Sequence, residues 1–457
     1  MTKHVAFQRG LKNRHINLIA LGGVIGSSYF LGTGYIISQT GPSAVIGYCL
    51  GGLITFLAMA CFAELIVAVP KHGSFISYAK TYISSSWASG VGWSYWISWV
   101  VYVPSECLAA GILMHHVIPT LAISSWSIIF GLVITIVNLS HVKAFGEIEF
   151  WLALFKIMII VAFSVAAILI FFGVIGTTQQ TGVIGTRYLL QDGGLFPNGL
   201  YIFFVNMVIL LSNFQGSEII GISASETDNP SKHVPNALRK ITYRILLLYV
   251  VPTLLVVLIF PWNKADLSGS VFAIALHHYG LNFLSQIFNI FIVAAALSCA
   301  NSGLYATVRS LHVLALRGMA PKFIRPLNRH GVPIRATLMT LGVIWIMIVI
   351  SCLFPVQKFY TTLLAISGFT GSICWISICL CQYIFRKKWM KQEGVKKHIG
   401  YKIFGFPYVT QFAIALQIFC LCIVIGSPEL RSSFYLGCPA LIIPMLIYRY
   451  HRSRQVL

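Results

Sequence analysis

Gly22-Gly23-Val24-Ile25-Gly26-Ser27-Ser28 and Ser212-Asn213-Phe214-Gln215-Gly216-Ser217 are the two stretches that decide how this chain folds. Each sits inside a long apolar run, roughly 17–40 and 197–225, and interrupts it with glycine and small polar side chains. Ten further runs, at roughly 43–69, 88–113, 121–139, 148–175, 241–260, 282–308, 336–354, 359–385, 406–426 and 433–448, bring the total to twelve. Most are long enough to cross about 30 Å of hydrocarbon as helices. They lack the alternation of barrel strands, so α-helices are the structure that satisfies their backbone in lipid. The expected fold class is therefore an all-α integral membrane protein.

Composition agrees. Hydrophobic residues make up 57% of the chain and charged residues 9%, with a mean hydropathy of +0.83. A soluble surface needs roughly 25% charged residues. The net charge of +21 does not signal nucleic acid, because the basic residues fall between apolar runs rather than on one soluble face. Counted over alternate loops, 27 Lys and Arg lie on the side of both termini. The other side has only Arg187, Lys264, Lys358 and Arg431. The positive-inside rule then predicts a multi-pass protein of the cytoplasmic (inner) membrane with both termini in the cytoplasm. No cleavable leader is expected, since a basic start runs directly into the first span.

The two interruptions open the first helix of two consecutive five-helix sets. Broken helices at matching positions of two halves point to a substrate site near the membrane midplane. The expected organisation is a cytoplasmic segment 1–16, a ten-helix core 17–385 with repeats at roughly 17–175 and 197–385, a basic loop 386–405, two added helices within 406–448, and a tail 449–457.

An unwound segment exposes free N–H groups, which attract a carboxylate, and free carbonyls, which attract an ammonium. A zwitterionic amino acid carries both. Gly26, Ser27 and Ser28 are expected to take its carboxylate, and the carbonyls near Val24, Ser212 and Gln215 its amine, with Phe214 and Gly216 lining the second break. Ionisable residues inside spans are functional candidates by default. Glu106 follows Ser98, Tyr102 and Ser105 on one face of span 3 and is expected to line the cavity. Lys156 has no acidic neighbour one turn away; a fixed positive charge there can replace a coupling cation, and a desolvated lysine can release its proton reversibly. Glu218 directly follows the second break, placed to gate the pathway or brace the break. Ser298, Asn301, Ser302 and Tyr305 form a polar stripe on span 8, while Glu64, near the cytoplasmic end of span 2, reads as a solvated or paired structural carboxylate. His115 and His116 lack the company a metal site needs, and no Walker lysine motif is present. The eleven cysteines include no C-x-x-C pair and read as packing residues.

These residues resemble the amino acid permeases of the amino acid–polyamine–organocation superfamily, in particular its bacterial amino acid transporter family. The likeness runs through Arg14-His15-Ile16, Gly22–Gly26, Gly41-Pro42-Ser43, Glu64-Leu65, Phe145–Trp151 and Lys156. It is densest over Phe214–Gly221, Glu226 with Asn229-Pro230, Ala295–Ser298 and Asn301–Tyr305. The resemblance implies a leucine-transporter-like fold, with two inverted five-helix repeats and two further helices. It implies proton-coupled amino acid uptake without a cofactor. It also implies that Lys156 stands where sodium-driven relatives hold sodium, near Gly22, Ile25 and Ser298–Ser302. Ser28 stands where the family usually has a third glycine, and its side chain narrows the pocket; Tyr29 stands where the family has a small residue or Leu. Span 3, Pro104–Gly111, looks most like the arginine, ornithine and histidine permeases, which points to a cationic substrate such as arginine, lysine, ornithine or histidine. An amino acid exchanger and a non-transporting nutrient sensor of the same fold are the competing readings; no nucleophile–base pair suggests an enzyme.

Overall fold

The computed structural model describes residues 25–70, 74–139, 145–176, 186–190, 192–218, 238, 243–328, 331–391 and 400–453, with backbone alone at 145–149. Gly22, Val24, Glu226, Asn229 and Pro230 lie outside the described residues, as do the 1–16 segment and the side chains of Glu147 and Glu149.

The protein is all-α: the described residues form helices and turns and no strand. In chain order the helices are α1 (Ser27–Phe30), α2 (Gly32–Thr40), α3 (Ala44–Ala68), α4 (Phe75–Tyr82), α5 (Ser85–Val117), α6 (Ile123–Leu139), α7 (Phe145–Phe171) and α8 (Arg187–Leu190). They continue with α9 (Gly199–Ser212), α10 (Val251–Ile259), α11 (Val271–His278), α12 (Asn282–Leu316), α13 (Ile334–Ser351), α14 (Val356–Lys391), α15 (Tyr408–Cys422) and α16 (Arg431–Ser453). Eight stretches are long and apolar enough to cross a membrane, and three shorter apolar helices accompany them. The first stretch, Ser27–Ala68, doubles back at the Gly41-Pro42-Ser43 turn into two helices, so the described residues supply twelve apolar segments. Non-helical residues interrupt two of these apolar segments, at Ile25–Gly26 and at Asn213–Gly216.

Burial divides the helices into two kinds. The most apolar windows of α5 and α14 are 89% and 94% buried inside the protein, whereas that of α16 is 17% buried. The outer helices turn large apolar side chains outward, such as Ile136, Met158, Val165 and Ile442. In water that surface would be costly; in lipid it is the solvated face. The inner helices instead pack small residues and polar side chains against one another, as membrane helices do at close interfaces. The functional residues therefore have to be sought around α5 and α14.

The helices outrun the apolar runs at several places. α12 continues to Leu316 and α14 from Val356 to Lys391, well past the apolar windows at 282–308 and 359–385. Hydropathy marks where lipid ends, and a helix need not stop there. Two short helices, α4 and α11, lie between spans and carry no spanning-length signal.

Candidate functional site

Ile25 and Gly26 are non-helical, and Gly26 is extended (φ −114°, ψ −168°). The chain becomes helical only at Ser27, so the amides after the break have no carbonyl of their own helix to bond. The Ser27 amide instead donates to Glu106 Oε2 at 2.8 Å. Glu106 comes from the middle of α5 and is fully buried. One turn earlier on α5, Tyr102 Oη lies 2.6 Å from Ser28 Oγ, and Cys299 Sγ of α12 donates to the same hydroxyl at 3.9 Å. A Cβ on Gly26 would run into Glu106 Oε1 and come within 2.8 Å of Tyr102 Oη and 2.9 Å of Cys299 Sγ. Glycine at 26 thus permits α5 and α12 to close on the break.

The second break follows Ser212. Asn213, Phe214 and Gln215 form a tight turn through hydrogen bonds to Leu210, Leu211 and Ser212 carbonyls. Gly216 then takes φ +89°, a conformation that favours glycine. Its amide donates to both oxygens of Glu218, at 3.1 and 3.2 Å. Trp375 Nε1 of α14 donates to Glu218 Oε2 at 3.1 Å. Glu218 thus contacts both the backbone of the second break and α14. Arg244 Nη2 donates to Ser217 Oγ at 2.6 Å.

Gln215 turns toward the scaffold. Its Oε1 accepts from Ser98 Oγ (3.0 Å) on α5 and Ser367 Oγ (2.8 Å) on α14, while its Nε2 donates to the Ser367 carbonyl at 2.5 Å. Phe214 joins an aromatic cluster with Tyr29, Tyr48 and Tyr249, whose ring centroids lie 4.6–6.3 Å apart where they meet. Tyr48 Oη also lies 2.5 Å from Thr33 Oγ1 and accepts from Asn213 Nδ2 at 2.8 Å. A single hydroxyl on α3 therefore joins the two broken spans. Tyr249 stands in a π-helical turn, Leu246–Val250, a form that is rare and concentrates at functional sites.

Lys156 lies on α7 with 2% of its surface exposed, and its Nζ has no hydrogen-bond partner among the described residues. Of the stripe on α12, Ser298 is buried and the Ser302 hydroxyl is buried without a partner among the described residues. Asn301 Oδ1 accepts from Asn138 Nδ2 of α6 at 2.6 Å. Tyr305, by contrast, is exposed, with the Arg309 guanidinium 4.1 Å over its ring.

The arrangement thus brings Gly26, Ser27, Ser28, Glu106 and the Tyr102 hydroxyl together, and gathers Ser212, Phe214, Gln215, Gly216 and Glu218 at the second break. Sequence reasoning did not single out Tyr48, Trp375 or Arg244. A lone tyrosine in an apolar helix carries little signal, while an arginine near a broken span is a stronger one that loop counting absorbed.

The comparisons with known proteins agree along the whole chain. A model of the amino acid permease family matches residues 15–457. The chain is similar to the amino-acid permeases RocC and RocE of Bacillus subtilis (strain 168). Identity to RocC is 35% over 452 residues, covering 98% of this chain and 96% of the relative. Identity to RocE is 36% over 448 residues, covering 96% and 94%. A putative histidine permease of the same organism is 35% identical over 450 residues, covering 98% of this chain and 94% of that protein.

Proposed function

Because this chain belongs to the amino acid permease family, and so is a multi-pass membrane transporter of amino acids rather than an enzyme, we propose that it is a proton-coupled importer with a cationic substrate. Arginine, lysine, ornithine and histidine form the substrate class. The observation that carries the reading is that two ionisable side chains are buried in the core: Lys156, whose Nζ has no hydrogen-bond partner among the described residues, and Glu106, which accepts the Ser27 amide at the first break. A desolvated ammonium without a hydrogen-bond partner is costly, and such a group is retained where a proton must be held and released. Lys156 supplies the fixed positive charge that a coupling cation would otherwise provide, with Ile25, Ser298 and Ser302 as its setting.

In this reading the amino acid lies between the breaks. Its carboxylate takes the amides following Gly26, at Ser27 and Ser28. Its ammonium is held by carbonyls of the second break, over Ser212, Phe214, Gln215 and Gly216. Glu218 keeps that break in shape. Glu106 gives the cavity a negative charge that favours a cationic side chain, because a carboxylate in a low-dielectric pocket is costly to leave without a counter-charge. The name of the putative histidine permease supports a substrate with a basic side chain. The excess of Lys and Arg on one side supports cytoplasmic termini in the inner membrane.

Competition uptake in proteoliposomes tests the substrate class. Unlabelled arginine, lysine, ornithine or histidine should suppress uptake of a labelled member of the set, and neutral or acidic amino acids should not. Suppression by neutral amino acids alone would overturn the cationic assignment while leaving amino acid transport intact.

A further inference from the structure

Glu106 occupies the donor that the proposed function assigns to the substrate. Its Oε2 accepts the Ser27 amide at 2.8 Å, in a place where a carboxylate of the amino acid would have to sit. One amide hydrogen cannot hold two carboxylates at full strength. The surroundings show what each group lacks. Glu106 Oε1 and Ser27 Oγ are fully buried, and neither has a hydrogen-bond partner among the described residues. Buried polar atoms are seldom left without partners, and these two meet where Glu106 already holds the Ser27 amide. Gly26 brings the break so close that a Cβ at this position would collide with Glu106 Oε1. Tyr102, one turn away, already holds Ser28 and receives Cys299.

We propose that the Glu106 carboxylate is an internal stand-in for the substrate's α-carboxylate, which must displace it from the Ser27 amide for the amino acid to bind. This rests on the reading above that the first break receives the carboxylate. It assigns Glu106 a second task, separate from attraction of a cationic side chain. When the site holds no amino acid, Glu106 satisfies the first free amide of the break and keeps α5 drawn onto span 1. When the substrate arrives, its carboxylate takes the amide and the Glu106 side chain is released toward the ligand. Binding is therefore weaker than the contacts alone would give, by the strength of the bond that Glu106 must surrender.

A carboxylate competitor acts only on ligands that bring a carboxylate. Arginine, lysine, ornithine and histidine each have a decarboxylated counterpart: agmatine, cadaverine, putrescine and histamine. Binding of each pair to purified protein is measured by calorimetry for the wild type, Glu106→Gln and Glu106→Ala. The ratio of amino acid affinity to amine affinity cancels any loss of side-chain attraction common to both. It should rise roughly tenfold or more in Glu106→Gln, the weight of one charge-assisted hydrogen bond, and at least as much in Glu106→Ala. The alanine variant also guards against a glutamine that still caps Ser27. A ratio that stays level or falls in both variants overturns the proposal. Wild-type protein that binds none of the four amino acids would instead overturn the substrate assignment, which keeps the two failures apart.

Discussion

Arg386 Nη1 lies between both oxygens of Glu64, 2.8 Å from Oε1 and 2.7 Å from Oε2, at a carboxylate with no solvent exposure. Gln382 Nε2 (3.1 Å) and the Ile403 amide (2.9 Å) complete the shell, and Gln382 Oε1 accepts from Thr410 Oγ1 at 3.0 Å. α3, α14 and α15 with its preceding segment are thereby pinned at one end by a single charge. Removing one partner of a buried pair leaves the other uncompensated, at a cost of about 3–5 kcal/mol. Arg386→Met should therefore lower the melting temperature in detergent sharply. The double variant Glu64→Gln/Arg386→Met should recover much of that loss, and a double variant no more stable than Arg386→Met alone would show that the pair does not bear this load.

Gly216 is held at φ +89° with its amide on Glu218. Gly216→Ala keeps the N–H but places a Cβ in the left-handed region, at about 1–2 kcal/mol. Transport should fall several-fold while the protein remains folded, because the strain is relieved by shifting the break. Unchanged transport kinetics would mean that the break tolerates another path.

Gln215 ties the second break to α5 and α14 through Ser98 and Ser367. Gln215→Leu removes these bonds and strands polar partners, costing about 1–3 kcal/mol. Maximal uptake rate should drop more than substrate affinity does, since the bonds position the break without reaching the substrate. A pure loss of affinity in the uptake kinetics would place Gln215 in direct contact with the amino acid instead.

Orientation is open to chemical labelling. Ser268 and Lys322 are both exposed in the structure. In intact cells an impermeant thiol reagent should modify Ser268→Cys, and should reach Lys322→Cys only after permeabilisation. The reverse pattern would invert the proposed topology.

The helical fold and its broken spans were legible because lipid imposes one rule on every span, so apolar runs and their glycine interruptions stand out. Span ends were less so: α12 and α14 continue as helices past the ends of their apolar runs, where hydropathy no longer reports on them. Glu106, Lys156 and Glu218 were visible as charges where charge is costly. Their partners were not, since Ser27–Glu106 and Trp375–Glu218 join residues 79 and 157 positions apart. The carbonyl near Gln215 was the group expected at the substrate; its side chain is taken up by two serines from other helices, which the sequence did not announce. A residue type in a break announces polarity and says nothing of which neighbour will use it. For Glu64 the sequence left solvation and pairing both open, and the choice of Arg386 as partner depended on how α3 packs against α14.

The most direct test of the account is the accumulation ratio of arginine, lysine, ornithine or histidine in proteoliposomes under an imposed inward proton gradient, compared between wild type and Lys156→Ala. The account predicts that wild-type protein concentrates at least one of them above equilibrium, that a protonophore abolishes this, and that Lys156→Ala binds the amino acid yet no longer concentrates it. Accumulation that ignores the protonophore, or that persists at wild-type level in Lys156→Ala, would contradict it.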